Sequence, residues 1–179
     1  MISLKEFENT LSKIECTHKI EIQFGQILNE QSFDNTIENI DKIIGLIRTR
    51  EYPHTYLVSN IYHESGYYHH VYTDGQTQTF KKSFKNQKVD LKSFPDLRII
   101  VNQDRLVDYK FDKSEKYHHV IQTQTICFQI SEDIKLSLIY SCYYKEDKKY
   151  SLKLEFMNNS SENIRKIYEL ITFIFKFHT

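Results

Sequence analysis

The chain has 179 residues, enough for one domain with a hydrophobic core, and is 40% hydrophobic, 27% charged and 14% aromatic. This composition excludes an intrinsically disordered chain. The 24 basic and 24 acidic residues give zero net charge, which excludes a general attraction to nucleic acid or anionic membranes, so any polyanion site must be local.

Residue usage also predicts the compartment. The sequence has no apolar run long enough to cross a bilayer, and residues 1–15 are too charged for a signal peptide, so we expect a soluble protein of the cytoplasm or nucleus. Cys16, Cys127 and Cys142 match neither zinc nor redox spacing, which predicts buried thiols in a reducing compartment. The chain contains no Ala, and 19 of its 24 basic residues are Lys. This bias is typical of an AT-rich genome, such as that of a protist or a large DNA virus; a viral protein would act in a viral factory or the virion.

Three segments have the apolar period of amphipathic helices. The first opens with Ser3 and Glu6 at capping-box spacing. The second follows the candidate caps Ser32 and Asp34, and the third opens near Asn159. Their apolar stripes are, in order, Leu4, Phe7, Leu11 and Ile14; Phe33, Ile37, Ile40, Ile44 and Ile47; and Ile164, Ile167, Ile171 and Ile174.

Eight runs have the character of β-strands, and turn signals separate several of them. Ser65-Gly66 and Asp74-Gly75 are typical of hairpin turns. The runs are 19–24, 56–63, 67–73, 76–82, 97–104, 116–128, 134–144 and 150–157. Without repeats or linkers, this predicts one α+β domain over residues 1–179, an eight-stranded antiparallel sheet with three peripheral helices.

Side chains alternate between the two faces of a strand, so each run divides into a polar and an apolar face. In the first run Lys19, Glu21 and Gln23 share one face, opposite Ile20, Ile22 and Phe24. The other polar sets are Ser151, Lys153 and Glu155; Arg98, Asn102 and Asp104; Gln122 and Gln124; and Ser137. The helices would cover the apolar faces. The polar faces would either form the solvated side of an open sheet or line the wet interior of a closed one, and the pattern leaves both alternatives open.

Three of these segments resemble a known family. Residues 19–25, KIEIQFG, are similar to the first-strand signature Glu-x-Glu-x-(Arg/Lys)-Phe-Gly of the triphosphate tunnel metalloenzymes, in particular the fungal and large-virus type RNA 5′-triphosphatases of mRNA capping. Residues 96–104, DLRIIVNQD, resemble a mid-chain strand of that family. Residues 150–156, YSLKLEF, resemble its closing strand. The order of these motifs and the intervening helix also fit, so the resemblance spans nearly the whole chain.

The resemblance implies a tunnel of eight antiparallel strands in which glutamates hold Mg²⁺ or Mn²⁺, basic side chains bind the triphosphate, and a metal-activated water attacks the γ-phosphorus. Carried over by position, Glu21 and Glu155 would be metal ligands, and Arg98, Lys19 and Lys153 would contact phosphate or RNA. The side chains lining the tunnel would be Gln23, Asn102, Asp104, Gln122, Gln124, Ser137 and Ser151.

The sequence departs from the family pattern where the metal would bind. Lys19 replaces the first glutamate of the opening strand, and Ser151 and Lys153 stand where the closing strand should carry glutamates. Gln122, Gln124 and Ser137 likewise replace the expected basic and acidic residues. Lys19, Glu21, Lys153 and Glu155 sum to zero charge, whereas four carboxylates would sum to −4. We therefore expect internal salt bridges in place of the metal.

These substitutions predict a catalytically inactive relative of the RNA 5′-triphosphatases that needs no cofactor. It would act as a subunit, a scaffold or an RNA 5′-end-binding component of a larger assembly, such as a viral capping or transcription complex, with a protein partner and no membrane. The alternative is an active polynucleotide 5′-triphosphatase that depends on Mg²⁺ or Mn²⁺ and removes the γ-phosphate of nascent mRNA.

Two further groups have a functional and a structural interpretation. One histidine from each of the pairs His69-His70 and His118-His119 could bind zinc, although surface or tunnel-rim positions are the simpler interpretation. A second group combines basic and aromatic side chains: Lys81, Lys82, Lys85, Lys88, Tyr62, Tyr67, Tyr68 and Tyr72. It could contact a nucleic-acid backbone and stack on bases, or it could consist of solvated loops, cross-strand pairs or a protein interface.

Overall fold

The computed structural model describes residues 2–14, 19–29, 32–37, 40–64, 66–83, 87–93, 95–102, 104–109, 119–143 and 149–176. The helices are α1 (Leu4–Leu11), α2 (Ile40–Arg48) and α3 (Ser161–Phe175). The strands are β1 (Lys19–Ile27), β2 (Phe33–Asp34), β3 (His54–Glu64), β4 (Tyr67–Tyr72), β5 (Thr77–Lys81), β6 (Gln87–Leu91), β7 (Asp96–Asn102), β8 (Arg105–Val107), β9 (His119–Ser131), β10 (Ile134–Tyr143) and β11 (Lys149–Phe156).

The helices begin close to the predicted caps, with two corrections. Ser3 caps α1 and accepts a hydrogen bond from the Glu6 backbone N–H at 3.3 Å, as predicted. α3 is capped by Ser160 rather than Asn159, and the Asn159 amide instead donates to carbonyls at the end of the α1 segment. The prediction that the second helix follows Asp34 is wrong, because Phe33 and Asp34 pair with the end of β1 and α2 starts at Ile40.

All pairings within the sheet are antiparallel, and ten strands form one continuous path. Their order is β6-β7-β1-β11-β10-β9-β3-β4-β5-β8, and β2 is attached to β1. The predicted α+β architecture with three helices is therefore confirmed, although the strands number eleven rather than eight. The additional strands β2, β6 and β8 have two, five and three residues. In such short runs, alternation is too brief to be distinguished from a loop.

The chain connectivity shows that the sheet curls. β7 and β8 lie eight strand spacings apart along the path, which would be about 38 Å in a flat sheet. Only residues 103 and 104 connect them, so the Cα atoms of Asn102 and Arg105 are at most about 11 Å apart. The two edges must therefore approach each other and enclose a hollow. Within the described residues no ladder joins β6 to β8, so the hydrogen-bonded sheet remains open.

The two faces of the sheet separate polar from apolar side chains. We call the face that carries Lys19, Glu21 and Gln23 the inner face, because it lines the hollow. The opposite, outer face of β1, β7, β10 and β11 packs beneath the helices, and the core includes Ile20, Ile22, Phe24, Leu97, Ile99, Leu136, Leu138, Leu152, Leu154 and Phe156. Phe24 and Phe175 pack with ring centroids 5.2 Å apart, which fixes α3 over β1. Burial of this face determines which side chains of β1 and β11 point inward.

Candidate functional site

The opening and closing strands bring four charged side chains together on the inner face. Glu21 and Glu155 are direct cross-strand partners in the β1–β11 ladder. The Lys153 ammonium lies 2.8 Å from Glu155 Oε1 and 3.4 Å from Glu21 Oε2. Lys19 Nζ donates to the same Glu155 oxygen at 3.1 Å, and the Gln23 amide donates to Glu21 Oε1 at 2.7 Å. We call Lys19, Glu21, Lys153 and Glu155 the ion-pair cluster.

The titration of the cluster follows from burial and mutual attraction. Burial alone would raise the pKa of Glu155, but attraction to Lys153 and Lys19, with hydrogen bonds from both, lowers it to about 2. Burial would likewise lower the pKa of Lys153, yet the charges of Glu21 and Glu155 raise it above its ordinary value. Both side chains therefore stay charged at neutral pH. The salt bridges expected from the sequence are present.

The donor set of the cluster does not fit a divalent metal. Mg²⁺ and Mn²⁺ prefer several negative or neutral oxygen ligands, and here each carboxylate already has an ammonium within ion-pair distance. The formal charge of the four side chains is zero, so a dication gains no net attraction from them. No group of three His, Cys, Asp or Glu side chains suited to a metal occurs among the described residues.

Arg98, the third predicted phosphate contact, is also paired with a carboxylate. Its Nε and Nη2 atoms donate to the two carboxylate oxygens of Asp90, both at 2.7 Å, and this bond raises the pKa of the guanidinium. The guanidinium carbon also lies 4.8 Å from the centre of the Phe33 ring. Asp90 lies on β6 and Phe33 on β2, two strands absent from the prediction. The sequence alone therefore gave no signal for either partner.

Aromatic side chains of β4 and β5 form the opposite wall of the hollow. Tyr68 and Phe80 stack with centroids 5.1 Å apart, and His70 packs edge-on against both at 5.7 Å. Burial lowers the pKa of His70 to about 4, and the charges of Lys153 and Lys19 contribute to that shift. β4 lies four strand spacings from β11, so this electrostatic effect acts across the hollow and not along the sheet. Because residues 67–72 carry rings on both faces of the strand, alternation alone could not identify which of them form this wall.

Two residues predicted to line the tunnel lie elsewhere. Gln122 and Gln124 pair with Cys142 and Tyr140 on the outer face, and Gln124 accepts a hydrogen bond from the exposed Tyr56 hydroxyl. Their placement on the inner face is therefore wrong. Thr123 and Thr125 are among the inward residues of β9, and the Thr123 hydroxyl lies 2.9 Å from the Ser59 hydroxyl.

The remaining predicted lining residues lie at or next to the inner face. Ser137 is buried opposite Lys153, and Ser151 is on the same face of β11. Asn102 pairs with Lys19 through the backbone, and only its backbone is described. Asp104 follows β7 and accepts hydrogen bonds from the Tyr68 hydroxyl at 3.1 Å and from a backbone N–H at 2.7 Å. The first of these bonds links the β7–β8 connection to the aromatic wall.

The other predicted groups are only partly described. His69 is fully buried on the outer face, and its Nδ1 lies 2.9 Å from the Thr79 hydroxyl. Of the second predicted pair, His118 lies outside the described residues, as do Lys85 and Cys16, and only the backbone of His119 is described. Cys127 and Cys142, which were predicted to be buried, are only partly buried thiols. Tyr67 stacks on Tyr109 at 5.2 Å, consistent with a structural role.

Comparison with solved structures identifies the fold. The chain is similar to the Pct1 RNA triphosphatase of S. pombe in complex with the Spt5 CTD, with a TM-score of 0.62 and 14% identity over 98% of this chain and 88% of that one. It is also similar to the RNA triphosphatase domain of a trifunctional mimivirus mRNA capping enzyme, with a TM-score of 0.60 and 9% identity over 97% and 99%. No family model and no curated protein matches the sequence.

The chain therefore has the fold of the fungal and mimivirus RNA triphosphatases. The resemblance predicted from the strand motifs is confirmed at the level of fold. One of these structures is a complex with the Spt5 CTD, so a protein of this fold binds a protein partner. Among the described helices of this chain, none is both long and apolar enough to span a lipid bilayer.

Proposed function

We propose that this chain is a divergent member of the RNA 5′-triphosphatase family that does not hydrolyse triphosphates and serves as a component of a larger RNA-processing assembly. The observation that carries the proposal is the position of the Lys153 ammonium, 2.8 Å from Glu155 and 3.4 Å from Glu21. A cation of the chain thus occupies the place between two carboxylates that a metal ligand set would need.

The basic side chains give independent support. Phosphoryl transfer requires cationic groups that contact the phosphate oxygens and stabilise the negative charge of the transition state. Lys19, Lys153 and Arg98 each already have a carboxylate partner at 2.7 to 3.1 Å. A triphosphate could use them only by breaking those pairs, which leaves buried carboxylates without compensation. Stabilisation of the transition state is therefore lost together with the metal.

A phosphate-release assay tests the proposal. The purified protein is incubated with RNA carrying a γ-labelled 5′-triphosphate and either Mg²⁺ or Mn²⁺, and a fungal RNA triphosphatase is assayed in parallel. Enzymes commonly turn over at about 1–10³ s⁻¹, and we expect release by this chain at about 10⁻⁴ s⁻¹ or slower. The matched control is Glu21→Gln, which removes one carboxylate of the cluster without changing its size.

The control separates this site from a contaminant. Metal-dependent release at an enzyme-like rate that is abolished by Glu21→Gln would overturn the proposal, because the carboxylate would then be catalytic. Release that is equal in both proteins does not come from the ion-pair cluster, and the proposal stands.

A further inference from the structure

A positively charged cavity lies along the edge strand β6. Its volume is about 780 Å³, and its lining includes Lys88, Asp90 and Lys92 from the β6 segment and Arg98 from β7. Lys88 and Asp90 alternate with Val89, so they share the face of the strand that meets Arg98. The cavity therefore borders the hollow at the inner face.

The charge of this cavity differs from that of the ion-pair cluster. Asp90 is neutralised by its two bonds to Arg98. Lys88 and Lys92 are exposed, and in the described part of the chain neither has a carboxylate within ion-pair distance. The four charged side chains sum to +2. Two positive charges are thus available for a ligand, whereas those of the cluster are already paired.

We propose that this cavity binds the sugar–phosphate backbone of single-stranded RNA. Lys88 and Lys92 are four residues apart, about 13 Å in an extended chain, with the neutral Asp90–Arg98 pair between them. Separated charges suit a polymer with repeating phosphates better than one phosphate group. Ile27 and the 59% exposed Leu28 supply an apolar wall against which a base can pack.

The choice of RNA as the ligand rests on the proposed function. The cavity adds to that function a specific place where this chain would contact the RNA. Because the cations of the cluster are paired, recognition would depend on backbone phosphates and not on the 5′-triphosphate. Lysines on an edge strand can also serve only to prevent strand-to-strand association. That role requires no RNA affinity, so the two interpretations make different predictions.

The test measures fluorescence anisotropy of a 3′-labelled single-stranded RNA of about 12 nucleotides as a function of salt. It compares the wild type with Lys88→Gln/Lys92→Gln and with a control, Lys5→Gln/Lys42→Gln, which removes two exposed lysines from α1 and α2. The RNA carries either a 5′-hydroxyl or a 5′-triphosphate. Thermal unfolding confirms that all three proteins are folded.

We expect Lys88→Gln/Lys92→Gln to weaken binding by roughly tenfold at about 50 mM salt, and to reduce the salt slope by about 1.4, as for two lost phosphate contacts. The control variant and the wild type should agree within about twofold, and both RNA ends should bind equally.

Equal loss in both variants, or no RNA binding by the wild type, would overturn the inference. So would binding of an acidic peptide, but not RNA, through the same two lysines. A strong preference for the 5′-triphosphate that does not depend on Lys88 and Lys92 would also overturn it. None of these results requires hydrolysis, so they are distinguishable from failure of the proposed function, which appears only as metal-dependent phosphate release.

Discussion

Replacing Lys153 by Met removes the cation that separates two cross-strand carboxylates. Glu155 would retain its ion pair with the Lys19 ammonium at 3.1 Å. Glu21 would retain its hydrogen bond from the Gln23 amide at 2.7 Å but would have lost its ammonium partner. The side chain of Glu21 is 8% exposed, so water compensates little for the lost ammonium. The variant therefore holds two adjacent carboxylates with one remaining lysine.

The expected loss of stability in each variant depends on how exposed the replaced lysine is. Removing one partner of a buried ion pair costs about 3–5 kcal/mol, and because the side chain of Lys153 is 24% exposed we expect the lower end, about 3 kcal/mol. The side chain of Lys19 is 39% exposed, so Lys19→Met should cost only about 0.5–1 kcal/mol. For a chain of this size these costs correspond to decreases in Tm of about 6–12 °C and about 1–4 °C.

The penalty should also depend on pH with a defined sign. The pKa of Glu155 is lowered from 4.5 to about 2, so its pairing contributes stability above pH 4.5 that is lost as the pH falls toward 2. In Lys153→Met the repelling carboxylates favour protonation. The difference in free energy of unfolding between wild type and variant should therefore be smaller at about pH 4 than at pH 7.

Urea denaturation of the wild type, Lys153→Met and Lys19→Met at both pH values measures these differences. Equal destabilisation by the two variants at pH 7 would refute the bridging role of Lys153. A penalty that does not decrease at low pH would refute the electrostatic explanation, because lost packing alone does not titrate.

Two further predictions concern the strand ends and the aromatic wall. A Cβ at Gly25 would lie 1.9 Å from the Asp34 carbonyl oxygen, so Gly25→Ala should destabilise the protein by about 2–3 kcal/mol in thermal unfolding. The control is Gly45→Ala on α2, where an added Cβ would meet no neighbouring group within 4 Å. This substitution should stabilise the protein by about 0.5–1 kcal/mol. The His70 ring should titrate near pH 4 in NMR spectra, because it is buried and faces Lys153; a midpoint near 6.5 would contradict this placement.

The parts of the site that were predictable lie on strands with one clear apolar face. In β1 and β11 the apolar residues alternate strictly with polar ones, and burial of the former fixes the direction of Lys19, Glu21, Lys153 and Glu155. Because both segments resembled the opening and closing strands of one family, their pairing could be predicted, and with it the zero net charge of the four side chains. Gly25 of the same motif is explained by the close approach of β2.

The errors arose where a strand is polar on both faces. Residues 122–125 read Gln-Thr-Gln-Thr, so alternation cannot say which pair points inward. The ladder with β10 decides it, because Leu136 and Leu138 must reach the core and their partners Phe128 and Ile126 must follow. This information lies in the pairing with β10, the next strand of the chain, and not in residues 122–125 themselves.

The bonds of Arg98 could not be predicted for a different reason. Its partners belong to β2 and β6, and strands of two and five residues carry no reliable periodic signal. Curling of the sheet depends on strand order, which places β7 and β8 near opposite edges although they are consecutive in the chain. No local pattern encodes that order.

The most direct measurement is a calorimetric titration of Mn²⁺ into the wild type and into Lys19→Glu/Lys153→Glu. If lysine has taken the place of the metal, the wild type should show no binding up to about 1 mM, while the variant, with four carboxylates on the two strands, should bind Mn²⁺ at about 0.1 mM or more tightly. Binding of Mn²⁺ by the wild type at micromolar concentration, lost in Glu21→Gln, would contradict the account.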